Sequence, residues 1–593
     1  MEKEVINIAQ SNFKEAPHKL SNSPISPVKY AFEELKKKGI EKSSSLEKRK
    51  KKIFRWFENK DNLAFFCLIA FAIIIRLYYF WITKSQALWW DEADYLAYAK
   101  TLAGMGTNWI VSPQHNSLFP HVVALFFKLG FSEILTKFII EIVPSVLLVV
   151  LTYKICEKVY GNKSIALISA FVMAVFWNIL FNSMRFHLGA PALLFAFLAI
   201  YSFFVGYEKR EKIFWRINPN WAIPLAVVFT IISYAIRRNY AFFGIFFLIY
   251  MISTKKARVL IKDKYNWIAL VMAAICLLIT EKLIFIASLG GVANQYYHPE
   301  LAFNFSHLTF MKLFFQGPTI WSSIFLWLAF LGLAVTVFRL ILATDFIRKR
   351  GNLEIKFDFF LIISLVATMA YFIFVQRDTT IGEARWYFPV LLTSLIFVSK
   401  GIVFIYDQVK KYNKQIAIII IVLLLAVGGY YQLQHADEII KMKIPSYSGI
   451  MSAGLKINEI ANPGDIIISG PVTQTAYYSE KVVVHFNDIA NQSSEDNFQE
   501  TLDYLEKNSS IKYIVISFTE SGNPYWARNE AGEYTYDANG QIARLKWEIP
   551  FMDTFINFQT GEQKILQEKT YENITFTLVS IEEEVFIYEI ARA

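Results

Sequence analysis

The chain has 593 residues, 55% hydrophobic and 19% charged, with 53 Phe, 3 Cys and a formal net charge of +10. Apolar runs recur from Leu63 to Tyr431, and about 20 apolar residues suffice to cross a hydrocarbon core of about 30 Å, so the composition points to a multi-pass membrane protein. Cys67, Cys156 and Cys276 all lie in apolar runs and read as small core residues, so neither a disulfide nor a thiolate metal site is indicated.

In chain order, residues 1–60 are polar, and the first apolar run is internal, so no cleavable signal peptide is expected. Lys48-Arg49-Lys50-Lys51-Lys52 precedes that run. A basic block beside a membrane helix marks the cytoplasmic side, where anionic lipid accounts for it without any nucleic acid. The first helix is expected from about Leu63 to Thr83, and the loop with Asp91 and Glu92 is then outside. The apolar piece Leu118 to Gly130 has 13 residues. At 1.5 Å per residue it reaches only about 20 Å and reads as an outer surface helix.

That choice makes 134–156 the second span and puts a series of basic loops inside. These carry Lys154, Lys158 and Lys163, then Glu208-Lys209-Arg210-Glu211-Lys212, Lys255-Lys256-Ala257-Arg258, Arg348-Lys349-Arg350 and Lys410-Lys411. The other spans are expected near 164–183, 188–206, 221–236, 239–253, 266–287, 319–343, 357–376, 386–406 and 414–432. The expected fold is an α-helical polytopic membrane protein of about eleven transmembrane helices plus outer surface helices. Its domains are a basic, unstructured cytoplasmic tail (1–60), a bundle (61–432, first outer loop 84–133) and an extracytoplasmic C-terminal α/β domain (433–593). The expected location is the cell membrane, with the N-terminus cytoplasmic.

From Leu433 to Ala593 the chain has 12 Lys+Arg against 24 Asp+Glu, so the basic excess belongs to the bundle and tail. In this outer domain, Asp465–Ser469 and Lys512–Ser517 are short β-branched runs like buried strands, and helical stretches lie near 447–460 and 494–507. Asn462-Pro463-Gly464 is a turn signal. Ile574–Leu578 and Val585–Tyr588 suggest terminal strands. No GxGxxG or P-loop occurs. The sequons at Asn304, Asn491, Asn508 and Asn573 all fall on the expected outer side.

The residues that point to chemistry gather at the outer ends: Asp91, Glu92, Asp94, Arg185, His187, Arg237, Arg238, Arg377, Asp378, Glu383 and Arg385. Ionisable groups at a membrane boundary crowded by aromatic residues are functional candidates. Acidic and basic groups converging there suit a reaction on an anionic lipid, in which cations hold a phosphate and a carboxylate handles a proton. Plainer readings exist for each. Asp91 is also a helix N-cap by type and position, with Glu92 and Asp94 complementing the dipole. Arginines at helix ends snorkel to headgroups. His115, His121 and His187 lack the HxxxH or HxH spacing of a metal site. An Asp-Glu pair can bind Mg²⁺ or Mn²⁺, but two carboxylates without fixed partners do not establish a metal cofactor.

Asp91-Glu92, followed by Tyr95 and Ala99, resembles the acidic motif of the GT-C glycosyltransferases. The nearer likeness is to their protein O-mannosyltransferase and aminoarabinose-transferase branch. Ser112-Pro113-Gln114-His115-Asn116-Ser117-Leu118-Phe119-Pro120 is a loose counterpart of its "HPPL"-like segment, without the double proline. Arg185 matches a family arginine at the outer end of a helix, and Arg385-Trp386-Tyr387-Phe388-Pro389 is similar to the opening of a late helix. Gly189-Ala190-Pro191 stands where the family usually has an acid.

The resemblance implies inverting transfer of one sugar, a hexose or pentose as in mannosyltransferases, from a polyprenyl-phosphate donor on the outer face. The acceptor would be a protein, lipid or glycan. Asp91 or Glu92 is the base candidate. Arg185, Arg237, Arg238, Arg385, Tyr95, His115 and Tyr387 are the candidates for holding lipid phosphate or sugar. The competing readings are a lipid or solute transporter or flippase, and a non-catalytic membrane protein whose outer domain binds partners. No inverted repeat or broken helix pair supports the transporter.

Overall fold

A computed structural model describes residues 57–105, 117–284, 315, 323–343, 352–374, 384–489, 498–517, 524–527, 532–537 and 542–593. Most of the basic tail, His115, the segment 285–314, the pair Arg377 and Asp378, Glu383, Asn304 and Asn491 fall outside these residues.

Nine helices among the described residues are long and apolar enough to cross a membrane. They are α1 (Lys60–Thr83), α4 (Glu133–Tyr160), α7 (Gly189–Glu208), α8 (Pro219–Ile236), α10 (Lys264–Ile284), α11 (Ile324–Leu342), α12 (Leu353–Ile373), α13 (Arg385–Val409) and α14 (Lys414–Lys443), which continues past its apolar part. Two of the eleven expected spans are shorter. The run 164–183 forms α5 (Lys163–Val175) and α6 (Trp177–Asn182), separated by Phe176 in an extended conformation. The backbone freed by this break is re-satisfied by Gln432, whose Oε1 accepts from the Trp177 N–H at 3.2 Å. The run 239–253 forms α9 (Phe242–Thr254) behind a 3₁₀ turn, Arg238–Ala241. The 13-residue piece forms the short helix α3 (Leu118–Lys128), packed on α2 (Trp90–Ala103).

Helix packing inside the bundle depends on small residues. A Cβ at Gly332 of α11 would lie 1.8 Å from the Phe397 carbonyl oxygen, and one at Gly401 of α13 would lie 2.2 Å from that of Leu328. Only glycine allows α11 and α13 to approach so closely, and lipid-solvated helices gain their association energy from such contact. At the end away from Asp91, loops expected to share one side are tied together by ion pairs. Glu208 takes Lys255 at 2.6 Å and Lys356 at 2.9 Å, and Glu211 takes Lys158 at 2.6 Å.

The expected span 414–432 continues as one helix, α14, to Lys443. Its extension is polar and is supported by i,i+4 pairs, Gln434 to Glu438 at 2.9 Å and Lys441 to Asp437 at 2.8 Å. Beyond it come α15 (Ser448–Ile460), β1 (Ile466–Ser469), α16 (Val472–Ser479), β2 (Val482–Val484), α17 (Phe498–Lys507) and β3 (Ile511–Ser517). The strands β4 (Gly532–Tyr536), β5 (Ile542–Ile549), β6 (Met552–Asn557) and β7 (Gln563–Ile565) form an antiparallel meander. Finally, β8 (Glu568–Tyr571), β9 (Ile574–Glu582) and β10 (Val585–Arg592) complete a six-stranded mixed sheet of order β2-β1-β3-β10-β9-β8. Alternation along β3 feeds two cores. Ile514 and Ile516 face the meander with Trp547 and Phe551, while Tyr513 and Val515 face α15 with Ile450 and Ile457.

Candidate active site

One cavity of about 430 Å³ brings together residues far apart in sequence. Asp91 and Tyr95 enter from α2, His187 from the turn before α7, Tyr234 from α8, Arg237, Arg238 and Asn239 from the α8–α9 turn, and Arg385 and Trp386 from the start of α13. Apolar Phe242, Ile245 and Phe372 line the same space.

Asp91 is the second residue of α2, and the N-cap is Trp89, in a β conformation. The capping role expected of Asp91 belongs to Glu92 instead, whose Oε2 accepts from the Trp89 N–H at 2.9 Å. A side chain at the third helical position reaches back to the cap amide in this way. Asp91 is therefore turned toward the cavity, where its carboxylate benefits from the positive end of the helix dipole. Its Oδ2 lies 3.7 Å from Arg385 Nη1, with the Asp91 side chain 41% exposed.

Glu92 points the other way and is buried with Lys137, Glu141 and Arg185. Burial pushes its carboxyl above the usual range, and Lys137 and Arg185 pull part of that back. Arg185 lies over the Trp89 ring at 3.8 Å and the Phe181 ring at 4.5 Å. It stands behind the cavity wall, as does Tyr387, which is buried against Phe372. The cavity thus takes in Asp91, Tyr95, Arg237, Arg238 and Arg385, and leaves Glu92, Arg185 and Tyr387 outside it; His115 lies outside the described residues. Because Glu92 is spent inside the fold, it and Asp91 do not converge on a common ion. Among the described residues no three His, Cys, Asp or Glu side chains gather as a metal site.

His187 gains meaning only from the geometry. Its Nδ1 is 3.0 Å from the Gly189 amide at the start of α7, and its Nε2 is 3.2 Å from Arg385 Nη1 and 3.5 Å from Arg237 Nη1. Burial, then Arg385, Arg237 and Arg185, push its pKa well below normal, so the ring is neutral. A neutral imidazole has one acceptor nitrogen, yet both nitrogens face donors. One contact therefore sets donor against donor, a frustration that an anion between ring and guanidinium would relieve. Its backbone N–H donates to Glu141 Oε1 at 2.9 Å. Glu141 is fully buried in α4, and a Glu inside an apolar run was the available sequence signal.

The other cavity groups are donors suited to an oxygen-rich ligand. Burial raises the Tyr95 hydroxyl further above its ordinary value, so it keeps its proton. Asn239 lines the cavity, and neither its amide nitrogen nor its oxygen has a hydrogen-bond partner among the described residues. The Arg237 guanidinium is 5.4 Å from the Trp386 ring, which orients it by cation–π attraction.

Residues 114–280 match the family model described as dolichyl-phosphate-mannose-protein mannosyltransferase. The match includes Arg185, His187, Arg237 and Arg238 and excludes Asp91 and Arg385. The chain is similar to the oligosaccharyltransferase of Archaeoglobus fulgidus, solved with a tethered acceptor peptide containing the NVT sequon. The two are 11% identical with a TM-score of 0.55, and the match covers 82% of this chain and 74% of that one. It is also similar to ArnT from Cupriavidus metallidurans in the apo state, at 9% identity and TM-score 0.54, over 76% of this chain and 92% of that one. The same ArnT bound to undecaprenyl phosphate matches over the same shares at 9% identity and TM-score 0.50. No curated protein matches significantly. The fold is that of the GT-C membrane glycosyltransferases, as the first-loop resemblance implied.

Proposed function

We propose that this protein transfers a single sugar, a hexose or pentose, from a polyprenyl-phosphate carrier to an acceptor hydroxyl at the outer face of the cell membrane. The observation that carries the reading is the cavity in which, among the described residues, the carboxylate of Asp91 shares the space with Arg237, Arg238 and Arg385. Asp91 takes the proton of the acceptor hydroxyl as its oxygen attacks the anomeric carbon. The bond to the phosphate oxygen breaks on the opposite face, so the configuration inverts. The leaving polyprenyl phosphate carries the negative charge away, and the arginines stabilise that charge as it develops. Phosphate is a good leaving group, so charge stabilisation replaces a strong general acid. Tyr95 and Asn239 are suited to sugar hydroxyls, and the apolar Phe242, Ile245 and Phe372 to the first isoprene units.

The frustrated His187 contact supports an anion site at this point. Related folds add support, since ArnT was solved with undecaprenyl phosphate and the Archaeoglobus enzyme with an acceptor peptide. The acceptor class is a protein, lipid or glycan, and the donor mannose, as in the family model's description, is the first to try. The test is transfer from radiolabelled polyprenyl-phosphate sugars in membranes containing wild type or Asp91→Asn. Full transfer by Asp91→Asn would remove Asp91 from the chemistry. Transport of the carrier without transfer would favour a flippase.

A further inference from the structure

The outer domain reaches the acidic loop through several separate contacts. Tyr478 of α16 accepts the Leu88 N–H on its hydroxyl at 2.7 Å. The Gln86 amide donates to the Lys443 carbonyl at 2.6 Å. The Trp89 ring meets the Tyr447 ring edge-on, with centroids 5.7 Å apart, and the Lys443 ammonium lies 5.7 Å from the same Trp89 ring. Farther along α2, Lys100 pairs with Glu133 at 3.2 Å and lies 4.1 Å from the ring of Tyr477, whose hydroxyl also donates to Glu133.

These contacts flank Asp91 on both sides in sequence. Trp89 is the N-cap that orients the first turn, and Leu88 precedes it. Tyr447 has φ of +66°, a left-handed conformation that costs a bulky residue energy unless its surroundings hold it. It sits where α14 hands over to α15, with its ring against Trp89 and beside the α15 core. A strained residue that joins the α14–α15 junction to the helix cap is suited to positioning that cap.

We propose that the outer domain sets the position of the Asp91 carboxylate, with Tyr478 and Tyr447 as the positioning residues. This rests on the reading of Asp91 as the base. The outer domain then acts on the chemistry through the start of α2, since none of its described residues lines the cavity.

The test uses the full chain in phosphatidylethanolamine–phosphatidylglycerol vesicles. Tyr478→Phe keeps the ring and removes the acceptor for the Leu88 amide. Amide exchange across residues 84–95 should quicken and kcat should fall roughly 10- to 100-fold, since small misplacements of a catalytic group carry such losses. Donor KM and the affinity for undecaprenyl phosphate alone should stay within about twofold, because the arginines are untouched. Tyr447→Gly relieves the backbone strain while deleting the ring contact. It should lower kcat in the same way with little change in Tm, and Gln559→Ala, an exposed turn residue of the outer domain, should change nothing.

Wild-type kcat in both tyrosine variants, with Asp91→Asn inactive, overturns the positioning role alone. An active Asp91→Asn overturns the reading of the base and this inference with it. If Tyr478→Phe fails to fold, Tyr447→Gly decides between these outcomes. Losses that track Tm, with KM and kcat changing together, also overturn the proposal in favour of a purely structural contact.

Discussion

The two ends of the bundle place their charges differently. In the layer away from the cavity, charges are matched. Asp358 takes Lys400, the Tyr160 hydroxyl at 2.7 Å and Arg339 at 3.7 Å, and Glu208 is held between Lys255 and Lys356. At the cavity, the half-exposed Arg237, Arg238 and Arg385 share the space with a neutral histidine and with one carboxylate among the described residues, Asp91. Matched charges in a low-dielectric interior staple helices together. A positive excess among the described groups at the rim of an apolar cavity instead favours an anion. The comparison teaches that the structural ions of this molecule are buried against their partners, whereas the cavity ions keep access to solvent and ligand.

The sharpest way to break the comparison is at Asp91. Asp91→Asn should reduce transfer about 10²- to 10⁴-fold, the usual contribution of a general base. The Tm should stay near wild type, because Glu92, not Asp91, serves the cap. Transfer rates in membranes, with Tm from the purified protein, check this. An unchanged rate would make the cavity carboxylate as structural as Asp358.

The opposite result is expected in the matched layer. Lys400→Met leaves Asp358 buried beside fewer partners and should cost about 3–5 kcal/mol of stability. Adding Asp358→Leu should recover much of it, and activity per folded molecule should stay near wild type. Thermal unfolding of the two variants against wild type measures this. A loss of kcat without a loss of Tm would show that the layer is not merely structural.

Smaller effects are expected from the cavity arginines. Arg237→Gln and Arg385→Gln should each lower donor kcat/KM by about 1.5–3 kcal/mol, the range of one charge-assisted hydrogen bond. Lysine should rescue only partly, since it cannot reproduce the guanidinium fork. Arg185→Gln, outside the cavity, should act mainly through Tm. If all three variants behave alike, the cavity boundary does not divide ligand-binding from structural arginines.

The smallest effect concerns pH. The folded-state pKa of His187 is depressed, so its contribution is intact above the unfolded value of about 6.5. It is lost as pH falls toward the folded value, because the unfolded chain then binds the extra proton. The slope is at most about 1.4 kcal/mol per pH unit. Tm measured from pH 7 to pH 5 should fall less steeply in His187→Gln. Saturating polyprenyl phosphate should change the slope further if an anion sits beside the ring.

Much of this molecule was legible before folding. Apolar run lengths marked eleven spans, of which nine are long and apolar enough to cross a membrane among the described residues, while 164–183 and 239–253 form shorter helices. The strands at β1, β3, β9 and β10 stood out as β-branched runs. The meander β4–β7 was missed, although Ala543, Leu545, Trp547 and Ile549 are buried in alternation with exposed Arg544, Lys546 and Glu548. A period of two in a charged stretch was the unused signal. The polar extension of α14 past residue 432 was also missed, because hydropathy reports only where lipid ends.

By itself the sequence determined that the chain crosses a membrane repeatedly, that it ends in an α/β domain, and that Asp91, Glu92 and several arginines are the candidates for chemistry. Run length, alternation and residue type are local properties, and they carry that information directly. Only the tertiary structure decided which candidates share a cavity. Adjacent residues on a helix point about 100° apart, so Asp91 and Glu92 separate into cavity and core. Arg237 and Arg385 are brought to one imidazole by helices α8 and α13, which no spacing rule connects.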